Sequence, residues 1–357
     1  MKAKMKKYGK VFWATLFSTV LVIAMASAFG RVPITTEDMK TATSAIIEGG
    51  PVSGDVSVSQ NYFVEPLTDA NYLAVASMKD VGDLKSEVPI LMSNDADNDV
   101  DFSGTADYYI ETMEQWNEFV ATSKENSYAN STVHLATDIQ WDGTDFAGIG
   151  SLEVPFAGTF DGHGYAITKL YSTTNGLFVA VEGATIQNLA IGSAKVAVEE
   201  SAYGIGILIG RSNGATVENV VIASSKIMTP MAEMGELGGM IGSVSGDTTI
   251  SNSEISRLTI KTEAMVTGAG GFVGKADARL TMQNCDIANS YVKNTVAAED
   301  APIAIYLGGV VGWATAPVNA TDVNAVAMNL QVASPAKGMG TMAGYLAGEA
   351  SSFCCQV

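Results

Sequence analysis

Four aspartates alternate with other residues in Asp95-Ala96-Asp97-Asn98-Asp99-Val100-Asp101. Carboxylates so spaced suggest Ca2+, a hard cation that gathers several oxygen ligands. An EF-hand loop would need glycine at its sixth position and glutamate at its twelfth, where this chain has Val100 and Ala106. The stretch therefore reads as a solvated acidic linker, with Asp95, Asp97, Asp99 and Asp101 kept as calcium candidates and no other cofactor or metal expected. His134, in STVHLATDI, and His163, in the glycine turn DGHG, have neither a companion histidine nor a nearby cysteine at metal-ligand spacing, so both are expected to be structural. Polysaccharide chemistry would require paired carboxylates, or an acidic cluster with a basic group beside it. Asp138, Asp142, Asp145 and Asp161 gather ahead of the main repeats. The turn around Asp161 and loop solvation explain them, and the lysines and arginines of residues 151–357 do not recur beside aspartates at one repeat position. A non-enzymatic chain is expected.

The elements that would position these groups must be numerous and short. Glycine is abundant, at 36 of 357 residues against nine prolines, and 47% of residues are hydrophobic. This composition excludes wholesale disorder and favours short strands with tight bends over helical bundles. Formal charge is −18; without Lys2, Lys4, Lys6, Lys7 and Lys10 it is 15 positive against 38 negative side chains, or −23. So acidic a surface repels phosphate backbones, and nucleic acid is not an expected partner. Cys285, Cys354 and Cys355 are too few for a disulfide framework, so packing and backbone pairing must supply stability.

Residues 1–28 combine that basic start with an apolar run ending in Ala26-Ser27-Ala28, the pattern of a secretory signal peptide cleaved before Phe29. Uncleaved, residues 11–29 would instead tether the chain to a membrane. Both readings place the remainder outside the cytoplasm.

Repetition dominates the rest. The pentamers GILIG (206–210), GGMIG (238–242), GGFVG (270–274), GGVVG (308–312) and GTMAG (340–344), with a degenerate GLFVA at 176–180, recur at intervals of 30 to 38 residues. Gly206, Gly210, Gly238, Gly242, Gly270, Gly274, Gly308 and Gly312 are expected at corners, permitting positive φ or close backbone approach. A second track contains Asn188, Asn219, Asn252 and Asn284, each with an apolar residue two positions before and another three positions after. In an unbroken strand those offsets face opposite sides. Both can face one core only if the chain bends at the asparagine. Stacked coils would then align the amides, pointing inward, in a hydrogen-bonded ladder. The expected fold is all-β: a right-handed parallel β-helix, or β-solenoid, of about six coils of roughly 32 residues.

FAGTFDGHGYAITKLY (156–171), the following NGLFVAVEGATIQNLAI and the glycine series resemble the GLUG-repeat family. ATDIQWDGTDFAGIGSLEVPFAGTFDGHG (136–164) is similar to that family's first coil, and the likeness covers roughly residues 108–350. The resemblance implies right-handed β-helices that are secreted or surface-exposed, in adhesin-like proteins. Departures are the missing second glycine of GLFVA, Asp322 where asparagine is expected, and Cys354 in the next coil.

Ahead of the first coil, TMEQWNEFVATSKEN (112–126) reads as a capping helix, with Thr112 and Gln115 as a capping box and Met113, Trp116, Phe119 and Val120 on one face. Residues 29–107 form an irregular acidic segment, and 108–357 the GLUG-type β-helix. The expected role is adhesion or envelope structure, on a glycan or protein of a host or neighbouring cell, or as a piece of a larger adhesin. A β-helix lyase or hydrolase is the alternative.

Overall fold

The computed structural model describes residues 106–198, 204–229, 235–263, 266–295, 305–332, 337–347 and 352–356. The leader, the tether at 11–29, the calcium candidates Asp95, Asp97, Asp99 and Asp101, and all but the end of segment 29–107 lie outside them. Within the described residues the chain is all-β, with one helix and three parallel sheets of 14, six and five strands.

The chain visits the three sheets in turn. From Phe178–Gly192 in the first sheet it runs to Lys195–Ala197 in the second and Ile205–Gly206 in the third, then returns to the first as Ile209–Ala223. Each return pairs in register with the preceding pass: Ile222 opposes Ile191, Ile255 opposes Ile222, and Ile287 opposes Ile255. Like residues thus stack on like, and the inner file of Ile186, Val217, Ile250 and Met282 is wholly buried.

Each glycine pentamer straddles a corner between sheets. Glu236–Gly238 ends in the third sheet, Met240 fills the interior, and Ile241–Ser256 opens in the first. None of the eight corner glycines has positive φ. What requires them is crowding: a Cβ on Gly238 or Gly308 would collide with the carbonyl oxygen of Ile241 or Val311 across the turn.

Positive φ belongs instead to the asparagines. Asn188, Asn219, Asn252 and Asn284 have φ of 54°, 53°, 50° and 52°, and Asp322 follows at 51°. One left-handed residue shifts the strand's alternation, so the positions two before, one after and three after all face the core, as in Ile186, Leu189 and Ile191. The expectation of inward amides is corrected by this geometry. Asn188 and Asn219 are half-buried and Asn252 and Asn284 exposed, because the left-handed twist turns their side chains outward.

Five residues later comes a second left-handed corner, at Ser193, Ser224, Arg257, Asn289 and Ala327. Buried hydroxyls secure it. Ser225 Oγ accepts from the Ala194 amide at 3.1 Å and donates to the Ala223 carbonyl at 3.0 Å; Ser290 treats Leu258 and Ala288 alike, at 3.1 and 2.9 Å. These bonds satisfy backbone groups that a bend removes from the ladder.

The helix, α1, spans Met113–Thr122, with both halves of the Thr112/Gln115 capping box formed. Trp116 and Phe119 are fully buried and pack on Phe146, Phe156 and Phe160 of the first layers. Lys124 just beyond it donates to the carbonyls of Ala147, Gly148 and Gly150. Among the described residues no helix is long and apolar enough to cross a membrane.

Candidate functional site

Stacking converts residues one repeat apart into side-chain neighbours about 4.8 Å apart. One outward column runs Tyr109, His134, Asp161, Gln187 and Glu218. His163 sits two residues past Asp161, in the turn Asp161-Gly162-His163-Gly164, with a left-handed backbone at φ 47°. Its imidazole folds back onto the column, so that His134 Nδ1 and His163 Nε2 are 2.8 Å apart. The expectation that neither histidine has a companion is therefore corrected. Linear spacing misses a pairing that adjacent layers create.

Both rings are held. Tyr109 stacks on His134 at 4.7 Å between centroids and 14° between planes, and Asp107 Oδ1 lies 3.9 Å from His134 Nε2. Burial, then the neighbouring His163, push the His134 pKa below the usual histidine value. Asp161 is buried and accepts from the His163 amide at 2.9 Å, Gln187 Nε2 at 2.6 Å and Asn188 Nδ2 at 3.1 Å.

Through Asn188 the same carboxylate begins the amide ladder. Asn219 Nδ2 donates to Asn188 Oδ1 at 2.9 Å and Asn284 Nδ2 to Asn252 Oδ1 at 2.8 Å. Between them the Asn252 amide turns toward Glu218 Oε1 at 3.5 Å, so the file has two segments. Its partners are side chains of the same stack, which is the geometry of a structural clip.

Asp138 and Asp145 are exposed loop residues, as expected, and each also bonds to the next layer. Asp138 accepts from the Ala166 amide at 2.8 Å, and Asp145 from the amide and hydroxyl of Thr173 at 2.8 and 2.6 Å, tying one layer to the next. Asp142 closes a local turn on Thr144.

Comparison with known protein families, curated proteins and solved structures returns no match.

Two further groupings went unseen in the sequence. On the face where the third sheet meets the first, Tyr306, Trp313 and Tyr345 form an aromatic shelf, with Tyr306 5.5 Å from Trp313 and 5.0 Å from Tyr345. Lys275 Nζ lies 4.6 Å from the Trp313 ring centre, 2.7 Å from Asp277 and 3.9 Å from Glu236. Thr315 donates to Asp277 at 2.6 Å. Here a lysine does converge with carboxylates, contrary to expectation: Asp277 follows it by two residues and Glu236 comes from a strand of the third sheet, while Trp313 is its register partner in the next repeat. Burial raises the Glu236 pKa above the usual carboxylate value.

The second grouping is a carboxyl pair. Glu254 and Asp286 are register partners, both half-buried, and Asp286 accepts from Asn324 Nδ2 at 2.8 Å. Burial, then the charge of Asp286, push Glu254 up to about 7. Reading residues one repeat apart as neighbours would have revealed both groupings.

Proposed function

We propose that the chain is a secreted or cell-surface right-handed parallel β-helix of about six coils, one per glycine pentamer, related to the GLUG-repeat proteins. It acts without catalysis, as an adhesin-like or envelope protein that binds glycan on its aromatic shelf. Right-handedness follows from the strong bias of parallel strands joined by crossovers. Export follows from residues 1–28, and the acidic surface disfavours nucleic acid.

The observation that carries the binding reading is the Tyr306, Trp313 and Tyr345 shelf beside Lys275, Asp277 and Thr315. A pyranose ring has an apolar C–H face that packs on aromatic rings, and hydroxyls that seek carboxylates and ammonium groups. Tyr345 is 43% exposed, which leaves ring surface for such a ligand.

Glycan-array binding by the chain and its Trp313→Ala and Tyr345→Ala variants tests the proposal. Selective binding that both substitutions abolish is expected; binding that neither affects refutes the shelf. A lyase or hydrolase is the second reading, supported by Glu236 next to Lys275 and Asp277. Release of reducing sugar from bound polysaccharide, lost in Glu236→Gln, would favour it over adhesion.

A further inference from the structure

We propose that His134, Asp161 and His163 bind a divalent transition metal of the zinc class, as a three-ligand site with a free coordination position. Their ligand atoms, one from each residue, lie within 4.8 Å of one another. Imidazole nitrogen together with a carboxylate oxygen is a donor set suited to Zn2+, Co2+, Ni2+ or Cu2+, and too poor in oxygen for Ca2+.

The geometry is close to closure. A metal about 2.0–2.1 Å from each imidazole nitrogen, at a tetrahedral angle, sets those nitrogens roughly 3.3 Å apart. His134 Nδ1 and His163 Nε2 stand at 2.8 Å, so a slight rotation of two half-buried rings would admit the ion in place of their shared proton. That proton would leave to solvent as the metal enters.

The surroundings are those of a supported site. With Nδ1 of His134 on the metal, its Nε2–H faces Asp107 Oδ1 at 3.9 Å, close enough for a small shift of the exposed carboxylate to close the bond. A ligating histidine commonly gives its other N–H to a carboxylate in this way, which fixes its tautomer. Gln187 and Asn188 orient the Asp161 carboxylate through neutral donors and leave its charge for the ion. Tyr109 clamps the His134 ring. Glycines on either side of His163 give the turn the freedom to adjust.

The ligands come from two successive strands, Thr132–Leu135 and Thr159–Asp161, and the turn after the second. An ion there would rivet the first layers together near the helix. This is independent of the glycan shelf, which lies near the other end of the first sheet's strand order.

Co2+ titration of the tag-free full chain, followed by visible d–d absorption, and Zn2+ competition against a chromophoric chelator test the site. One equivalent of Co2+ should give a four- or five-coordinate spectrum that Zn2+ displaces. His134→Ala and His163→Ala should abolish it. His163→Gln, which preserves a hydrogen-bonding group toward His134 and so protects the fold, should abolish it too. Asp107→Asn, at an exposed residue that touches no metal, should weaken Zn2+ affinity about tenfold or more. A spectrum that survives in folded His163→Gln, or no spectrum at all with excess Co2+, overturns the proposal.

Discussion

Replacing Glu254 by glutamine should stabilise the protein at neutral pH and leave it unchanged in acid. In the folded chain the carboxyl is pushed up to about 7, first by burial and then by Asp286 one layer along. In the unfolded chain it titrates near the ordinary value of about 4.3. Between those values the native state holds a proton that the unfolded state has lost, so stability falls as pH rises through this window. Above it the full penalty is present. A gap of that size corresponds to roughly 4 kcal/mol. Water reaches this half-buried side chain, and Arg257 offsets part of the repulsion, so glutamine should recover about 1–3 kcal/mol at pH 8. For a domain of this size that raises the Tm by roughly 3–10 °C. Glutamine keeps the shape, carries no charge, and can donate to Asp286. Thermal melts of both proteins from pH 4 to pH 8, followed by circular dichroism, read the effect directly. The two curves should coincide at pH 4 and diverge as pH rises. A constant offset, or a variant that melts lower at pH 8, would show that the carboxyl pair is not the source of the penalty.

Asn219→Ala should cost about 1–2 kcal/mol, since it loses the bond to Asn188 and places alanine in a left-handed backbone, whereas Asn219→Gly should recover the backbone part; denaturant midpoints separate the two. Gly308→Ala should cost about 3 kcal/mol or more, because its methyl would meet the Val311 carbonyl, and limited proteolysis should then cut the C-terminal layers. Cys285, wholly buried with its thiol pushed up to about 12, should resist alkylation at pH 8 until the protein unfolds, as read by peptide mass mapping. Cys285→Ser should be mild. Ser253 occupies the same column one layer earlier, with the same kind of backbone bond.

The repeat period, the parallel stack and the helix cap were legible because each leaves a local signature: glycine at crowded corners, asparagine at a bend, and a Thr-x-x-Gln box before an apolar stripe. The direction of the amides was not. Offsets of two before and three after locate a bend but leave open whether the bending residue faces in or out, and a left-handed φ turns it outward. The second corner was invisible for a different reason. Ser193, Ser224, Arg257, Asn289 and Ala327 share a backbone shape but no side-chain chemistry, and the stack enforces that shape through neighbours such as Ser225 and Ser290. The site residues were misjudged because motif spacing presumes that ligands lie close along the chain. His134 and Asp161 meet across layers, as do Lys275 with Trp313 and Glu254 with Asp286.

Because the passes from Ile205 onward engage one another through recurring corner glycines and nearly the same register, a duplicated repeat would find its docking surface already made on both sides. Unequal recombination within the coding sequence could then lengthen or shorten the protein in whole increments without invalidating any existing contact. Reach becomes a trait that lineages can adjust separately from whatever the surface recognises, and variation in repeat number should be tolerated far better than variation of a few residues within one repeat.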